Sequence, residues 1–128
     1  MRIKLTSIMV EDQNHALRFY TEILGFVKKT EIPMGPYKWL TVTSPESGED
    51  LELSLEPNEN PAAKAFQEAM FQQSIPLTAF EVADMASEYT RLREHGVVFT
   101  KPPTPSGPVI IAVFADTCGN LIQLYQPV

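Results

Sequence analysis

Apolar and polar residues alternate along this chain in short runs, and the runs come twice in the same order. Arg2 to Val10 is rich in β-branched and apolar residues and predicts a strand. Glu11-Asp12-Gln13-Asn14 is polar, and Asp12 or Asn14 offers the short side-chain oxygen that caps a helix N-terminus. Ala16, Phe19, Tyr20, Ile23 and Leu24 then fall on one helical stripe, which Gly25 ends by tolerating the left-handed conformation. Strands follow over Phe26–Ile32, Tyr37–Thr43 and Leu51–Leu55, with turns at Pro33-Met34-Gly35-Pro36 and Ser44-Pro45-Glu46-Ser47-Gly48. Tyr37, Trp39 and Thr41 share one face of their strand, opposite Lys38, Leu40 and Val42. Glu52 and Ser54 likewise oppose Leu51, Leu53 and Leu55, the pattern of a sheet packed on one face and wet on the other. Glu56 to Asn60 reads as a linker. Pro61–Gln73 reads as a connecting helix with Pro61 in its first turn and Ala65, Ala69 and Met70 on its apolar side, stopped by Pro76. The order then restarts: strand Leu77–Val82, helix around Met85–Glu94 closed by Gly96, and strands Val98–Lys101, Val109–Phe114 and Leu121–Tyr125. Pro102, Pro103, Pro105 and Pro108 crowd the second half's loop and would stiffen it.

The two halves also share residues. Leu5-Thr6-Ser7-Ile8-Met9-Val10-Glu11-Asp12 returns as Leu77-Thr78-Ala79-Phe80-Glu81-Val82-Ala83-Asp84, with Leu, Thr, Val and Asp in step. Gly35-Pro36 returns as Gly107-Pro108, Leu24-Gly25 as His95-Gly96, and Leu51-Glu52-Leu53 as Ile122-Gln123-Leu124. Ordered matches at near-constant spacing mark one module used twice. The expected fold is α+β, with two tandem β-α-β-β-β modules over 1–128: about 1–57, a linker helix over about 58–76, and about 77–128. A ferredoxin-like sandwich is the rival, and the three strand patterns after Gly96 argue against it.

Composition narrows the partners. The chain is long enough to bury a core, and 44% hydrophobic with 20% charged residues is ordinary for a soluble domain. A net charge of −6, with no basic run longer than Lys28-Lys29, argues against nucleic acid, whose phosphates need clustered cations. No apolar run approaches the ~20 residues that span a bilayer, and the N-terminus carries no apolar leader, so no membrane partner is expected. The single cysteine, Cys118, rules out an internal disulfide and suits a reducing compartment. The expected localisation is cytoplasmic.

Val10-x-Asp12 followed by Ala16-Leu17-x-Phe19-Tyr20-x-x-x-Leu24-Gly25-Phe26, together with Phe114-x-Asp116-x-x-Gly119-Asn120-x-Ile122-x-Leu124, resembles the vicinal oxygen chelate superfamily. That superfamily includes glyoxalase I, ring-cleaving dioxygenases and bleomycin-resistance proteins. The resemblance implies a cupped mixed sheet enclosing a cavity, a homodimer, and metal ligands from the first and last strands of each module. Those positions fall here on Leu5, Glu52, Leu77 and Gln123. Leucine has no lone pair to give a metal, and strand alternation points Thr6 and Thr78 to the other face. His15, off the apolar stripe, and His95, at a helix C-terminus that favours a cation, fit no metal site. No cofactor and no metal site are expected; a divalent Zn, Ni, Mn or Fe is left open only through Glu52 and Gln123.

Parity places Leu5, Ser7, Met9, Tyr37, Trp39, Thr41, Glu52 and Ser54 on the cavity side, joined by Leu77, Ala79, Glu81, Val109, Ile111, Gln123 and Tyr125. From these, Ser7, Met9, Tyr37, Trp39, Glu52, Ser54, Ile111, Gln123 and Tyr125 form the expected ligand-binding set, an apolar and aromatic wall with few polar groups. The alternative is that these positions fill a core or a dimer contact. Glu52 is the catalytic candidate, because an acidic side chain among leucines needs a partner or a function, and burial would move it toward general-base territory. Gln123 could hydrogen-bond it or a substrate oxygen; otherwise Glu52 is a solvated carboxylate at the cavity mouth. Cys118 reads as a turn residue with no cation beside it to activate a thiolate.

Three functions follow. The first is a small-molecule-binding protein without the metal centre, similar to the bleomycin-resistance branch and sequestering a drug-like or metabolite ligand, with the acidic charge drawing a cation. The second is a glyoxalase- or dioxygenase-like enzyme, a lyase or isomerase using Glu52 as base or metal ligand. The third is a regulatory or structural partner with a residual cavity.

Overall fold

A computed structural model describes residues 1–47 and 50–128, so Gly48, the last residue of the turn expected after Thr43, lies outside the described residues. Two compact units divide the chain at Met1–Ala65 and Phe66–Val128.

The first unit holds β1 (Leu5–Val10), α1 (Gln13–Arg18), β2 (Val27–Met34), β3 (Tyr37–Thr43) and β4 (Glu52–Pro57). Its four strands form one mixed sheet in the order β1-β4-β3-β2, with β1 parallel to β4 and the other neighbours antiparallel. The second unit repeats this with β5 (Thr78–Glu81), α3 (Met85–Glu94), β6 (Phe99–Ser106), β7 (Val109–Ala115) and β8 (Leu121–Pro127), in the order β5-β8-β7-β6. In the chain, helix α2 (Pro61–Gln72) follows β4 and precedes β5.

The shared aspartates do the same work in both modules. Asp12 accepts the His15 N–H at 2.9 Å and Asp84 accepts the Ser87 N–H at 3.2 Å, each satisfying a donor that the first helical turn leaves free. These backbone bonds hold both carboxyl groups below their ordinary pKa. Ala16, Phe19 and Tyr20 are buried from the helical stripe, and α1 lies against β3 and β4. Ile8, Val10, Leu40, Val42, Leu53 and Leu55 form the buried face of that sheet. Gly25 adopts a φ of 87° just past the helix and Gly96 a φ of 83° past α3, where a Cβ would be strained.

Several boundaries differ from expectation. β1 begins at Leu5 rather than Arg2, and β4 runs two residues further to Pro57, taking Glu56 out of the linker. Helix α1 does not run regularly to Leu24: after Arg18 it widens into a π-helical turn over Phe19–Ile23, with Leu24 N–H bonded to Phe19 O at 3.1 Å. Pro33 and Met34 belong to β2 rather than to a turn, pairing with Lys38 and Tyr37. Pro102, Pro103 and Pro105 sit within β6 rather than in a loop. Both strands are sheet edges, where a residue without an N–H is tolerated, and β6 shifts register between Lys101 and Thr104 to accommodate its prolines.

Candidate functional site

Strand pairing determines which side chains share a face. In the first unit, Leu5 pairs with Glu52 and Glu52 with Thr43, while Ser7 pairs with Ser54 and Ser54 with Thr41. Met9 pairs with Glu56, Trp39 with Ile32 and Tyr37 with Met34. All of these lie on the face opposite Ile8, Leu40 and Leu55. Ser7, Tyr37 and Trp39 are exposed, Met9 and Glu52 half-buried, and Ser54 and Thr41 buried. In the second unit, Ala79, Gln123 and Val113 form one row and Glu81, Tyr125 and Ile111 the next. Gln123, Tyr125 and Ile111 are half-buried there.

The first unit's face is unusually apolar for an open surface. Leu5 is 47% exposed, Trp39 48% and Met34 59%. With Tyr37, Lys38, Ser54, Glu56 and Pro57 they line a cleft of about 310 Å³, the lower end of the roughly 300–1,000 Å³ typical of ligand pockets. Desolvation and a hydrogen bond to Glu59 push the Tyr37 phenol above its ordinary pKa, so it stays protonated and able to donate. Glu52 is oriented by Thr41, whose hydroxyl donates to Oε1 at 2.8 Å. That partner was not evident from sequence, because the two residues sit on different strands.

Glu11, Asp12, Gln13, Asn14, Pro33 and Pro36 border a second hollow of about 390 Å³, which shares Tyr37, Lys38 and Pro57 with the first. Lys38 Nζ donates to Asn14 Oδ1 at 2.5 Å and to Glu31 Oε2 at 2.8 Å, and Lys28 reaches Glu31 Oε1 at 2.8 Å. Lys28 first, and Lys38 with it, hold the Glu31 carboxyl down at about 2. A carboxyl depressed in the folded state contributes stability above its unfolded pKa and loses it as pH falls. The Glu31 contribution is therefore expected to fade between pH about 4.5 and about 2. An NMR titration of the Glu31 side chain checks this: its midpoint should rise toward the ordinary value in Lys28→Met and shrink in shift at high salt, since exposed pairs are screened. A midpoint unmoved by the substitution would contradict the pairing.

In the second unit, the loop between β7 and β8 is held by Asp116. Its Oδ1 accepts the N–H groups of Cys118 (2.8 Å) and Asn120 (3.0 Å), and its Oδ2 accepts Asn120 Nδ2 at 2.8 Å. Gln67 from α2 donates to Asn120 Oδ1 at 2.9 Å and to Cys118 O at 3.3 Å. Cys118 is buried within this turn. The Asp and Asn of this network were visible in sequence as a turn motif; Gln67, on a helix that is otherwise mostly exposed, was not.

For a metal, the donor chemistry is thin. Leu5 and Leu77 offer only carbon and hydrogen, and the Glu52 oxygen on the sheet face already accepts from Thr41. His95 Nδ1 sits 2.8 Å from Arg91 O at the end of α3. Among the described residues no group of three or more His, Cys, Asp or Glu side chains converges. These residues do not fit the superfamily's four-ligand centre.

Residues 2–124 match the family model described as the Glyoxalase/Bleomycin resistance protein/Dioxygenase superfamily. The Bacillus subtilis (strain 168) protein YurT is 56% identical over 98% of this chain and 99% of its own. Among solved structures, UcmS2 aligns with a TM-score of 0.84 at 30% identity, covering 98% of this chain and 97% of that one. TnmS3, an antibiotic binding protein from Streptomyces sp. CB03234, aligns with a TM-score of 0.77 at 27% identity, covering 100% of this chain and 97% of its own.

Proposed function

The chain belongs to the glyoxalase/bleomycin resistance protein/dioxygenase superfamily, and we propose that within it this protein binds a small aromatic or amphipathic molecule without a metal and without turnover. The observation that carries this reading is the cleft itself: Trp39, Tyr37, Met34 and Leu5 stand open to solvent around about 310 Å³, with Lys38, Ser54 and Glu56 as the charged and small polar residues of its lining. Aromatic faces left uncovered at that cost are recognition surfaces. The similarity to TnmS3, which binds an antibiotic, supports the same direction. The net charge of −6 favours a cationic or neutral ligand over an anion.

The chain has one tryptophan, so its emission reports on this cleft alone. Protein dialysed against a chelator is expected to bind the neutral aromatic probe N-phenyl-1-naphthylamine saturably, one to one, with energy transfer from Trp39. In Trp39→Ala, probe emission excited directly should show affinity weakened by about tenfold or more, as for an aromatic anchor. Absence of saturable binding, or binding that appears only when Zn, Ni, Mn or ferrous iron is added, would overturn the reading.

The hydrogen bond from Thr41 favours a second reading, in which an oriented Glu52 acts as a base in a lyase or isomerase reaction. Glu52→Gln separates the two: retained probe binding supports a binder, and metabolite turnover that disappears with the carboxylate supports the enzyme.

A further inference from the structure

The first unit's sheet is split. β1 and β4 stay paired to Val10 and Pro57, and β2 and β3 stay paired to Met34 and Tyr37. Between β3 and β4, however, pairing is confined to Thr41–Ser54, Val42–Leu53 and Thr43–Glu52. Beyond Thr41 and Ser54 the two ribbons part, and the 310 Å³ cleft opens where they do, with Met34, Tyr37 and Trp39 on one ribbon and Leu5, Ser54 and Glu56 on the other.

Gln13 occupies the fork from the helix side. It is the first residue of α1, only 8% exposed, and its amide bonds backbone on both ribbons. Oε1 accepts the Lys38 N–H at 3.1 Å, and Nε2 donates to Lys38 O at 2.7 Å and to Leu55 O at 2.9 Å. The side-chain amide thus bonds Lys38 as a neighbouring strand residue would, exchanging both a donor and an acceptor with it. It satisfies peptide groups that would otherwise be left unpaired or drive the strands back together.

The repeat supplies an internal control. Asp84 caps α3 as Asp12 caps α1, and the residue after it is Met85, which has no amide to offer. In that unit β7 and β8 pair without interruption from Ala115–Leu121 to Val109–Pro127, seven pairs against three.

We infer that Gln13 is a positioning residue that holds β3 and β4 apart and so sets the width of the ligand cleft. The inference rests on the binding reading above for its function, though not for its geometry. It makes the first helical residue, rather than the wall alone, a determinant of which planar molecule fits between Trp39 and Glu56.

The test is Gln13→Met, which installs the residue that the second module carries at this place and roughly preserves volume. A folded protein is expected, with the Trp39 emission maximum displaced and affinity for N-phenyl-1-naphthylamine weakened by about tenfold or more. Unchanged Trp39 emission and unchanged affinity would overturn the inference while leaving the binding reading intact. A parent protein that does not bind the probe would sink the binding reading, and the Trp39 emission of the variant would still decide the geometry. Should Gln13→Met not fold, Gln13→Glu decides between positioning and simple filling. As a carboxylate it has no donor for Lys38 O or Leu55 O; once protonated it regains one. Between about pH 8 and pH 4, a range that takes in both an ordinary and a burial-raised glutamate, Trp39 emission and probe affinity should therefore move back toward those of the parent, whose own profile accounts for Glu11, Asp12, Lys38 and Glu56 nearby. A variant profile parallel to the parent's would overturn the inference.

Discussion

Asp116→Ala is expected to lower the free energy of unfolding by about 3–5 kcal/mol, the sum of several buried donors deprived of one acceptor. Asp116 is fully buried, and its two oxygens receive Cys118 N, Asn120 N and Asn120 Nδ2. Alanine leaves all three without that partner. The same carboxylate holds a strained backbone: Thr117 has a φ of 60°, in the region that β-branched residues avoid, and Gly119 a φ of 100°. Asp116→Asn keeps the shape and one acceptor but turns an NH₂ toward the Asn120 amide, so its cost should be smaller, about 1–3 kcal/mol. Gln67→Ala removes the outer layer of the network and should cost about 1–2 kcal/mol. Urea unfolding of the three variants checks the order, with the midpoint falling and the slope unchanged. An Asp116→Ala protein within 1 kcal/mol of the parent would show that the network is not what holds the loop. Because β8 begins at Leu121 and carries Gln123 and Tyr125, the loop's conformation also fixes where those two candidate side chains start.

What could be read from the chain, and what could not, follows from where each signal resides. Period-2 alternation put Tyr37, Trp39, Glu52 and Ser54 on one face, and the pairing register places them together, because a side chain's face is a local property of its strand. The repeated Leu-Thr…Val…Asp placed two modules, since matched residues occupy matched roles: both aspartates are helix caps. The break in the β3–β4 ladder had no such signature. Its partners are the backbone groups of Lys38 and Leu55, which every sequence possesses, and a glutamine at the start of a helix reads as solvated. The same holds for β6, where prolines that punctuate loops elsewhere are accommodated by an edge strand with a shifted register. The leucines at two of the positions onto which the resemblance carries the family's metal ligands are a statement about donor atoms alone, independent of geometry.

Tyr20→Ala is expected to cost about 3–5 kcal/mol, as for other fully buried aromatic truncations. Tyr20 is completely shielded from solvent in the π-helical turn. Its ring meets Phe19 edge-on at 5.6 Å between centroids and Phe26 at 6.2 Å. Its carbonyl accepts the Phe26 N–H at 3.0 Å, tying the helix end to the strand that follows. Truncation opens a cavity within the first unit's core and removes both ring contacts, which neighbours relieve only in part. Tyr20→Phe keeps the rings and should stay within about 1–2 kcal/mol of the parent. The consequence reaches the cleft. α1 rests on β3 and β4, and its first residue, Gln13, holds the fork between them. A helix loosened at Tyr20 should release that fork, so Tyr20→Ala at temperatures where it remains folded is expected to show displaced Trp39 emission as well as a lower midpoint. Loss of stability with Trp39 emission unchanged would separate the core from the cleft, and would place the control of its width in the Gln13 contacts alone.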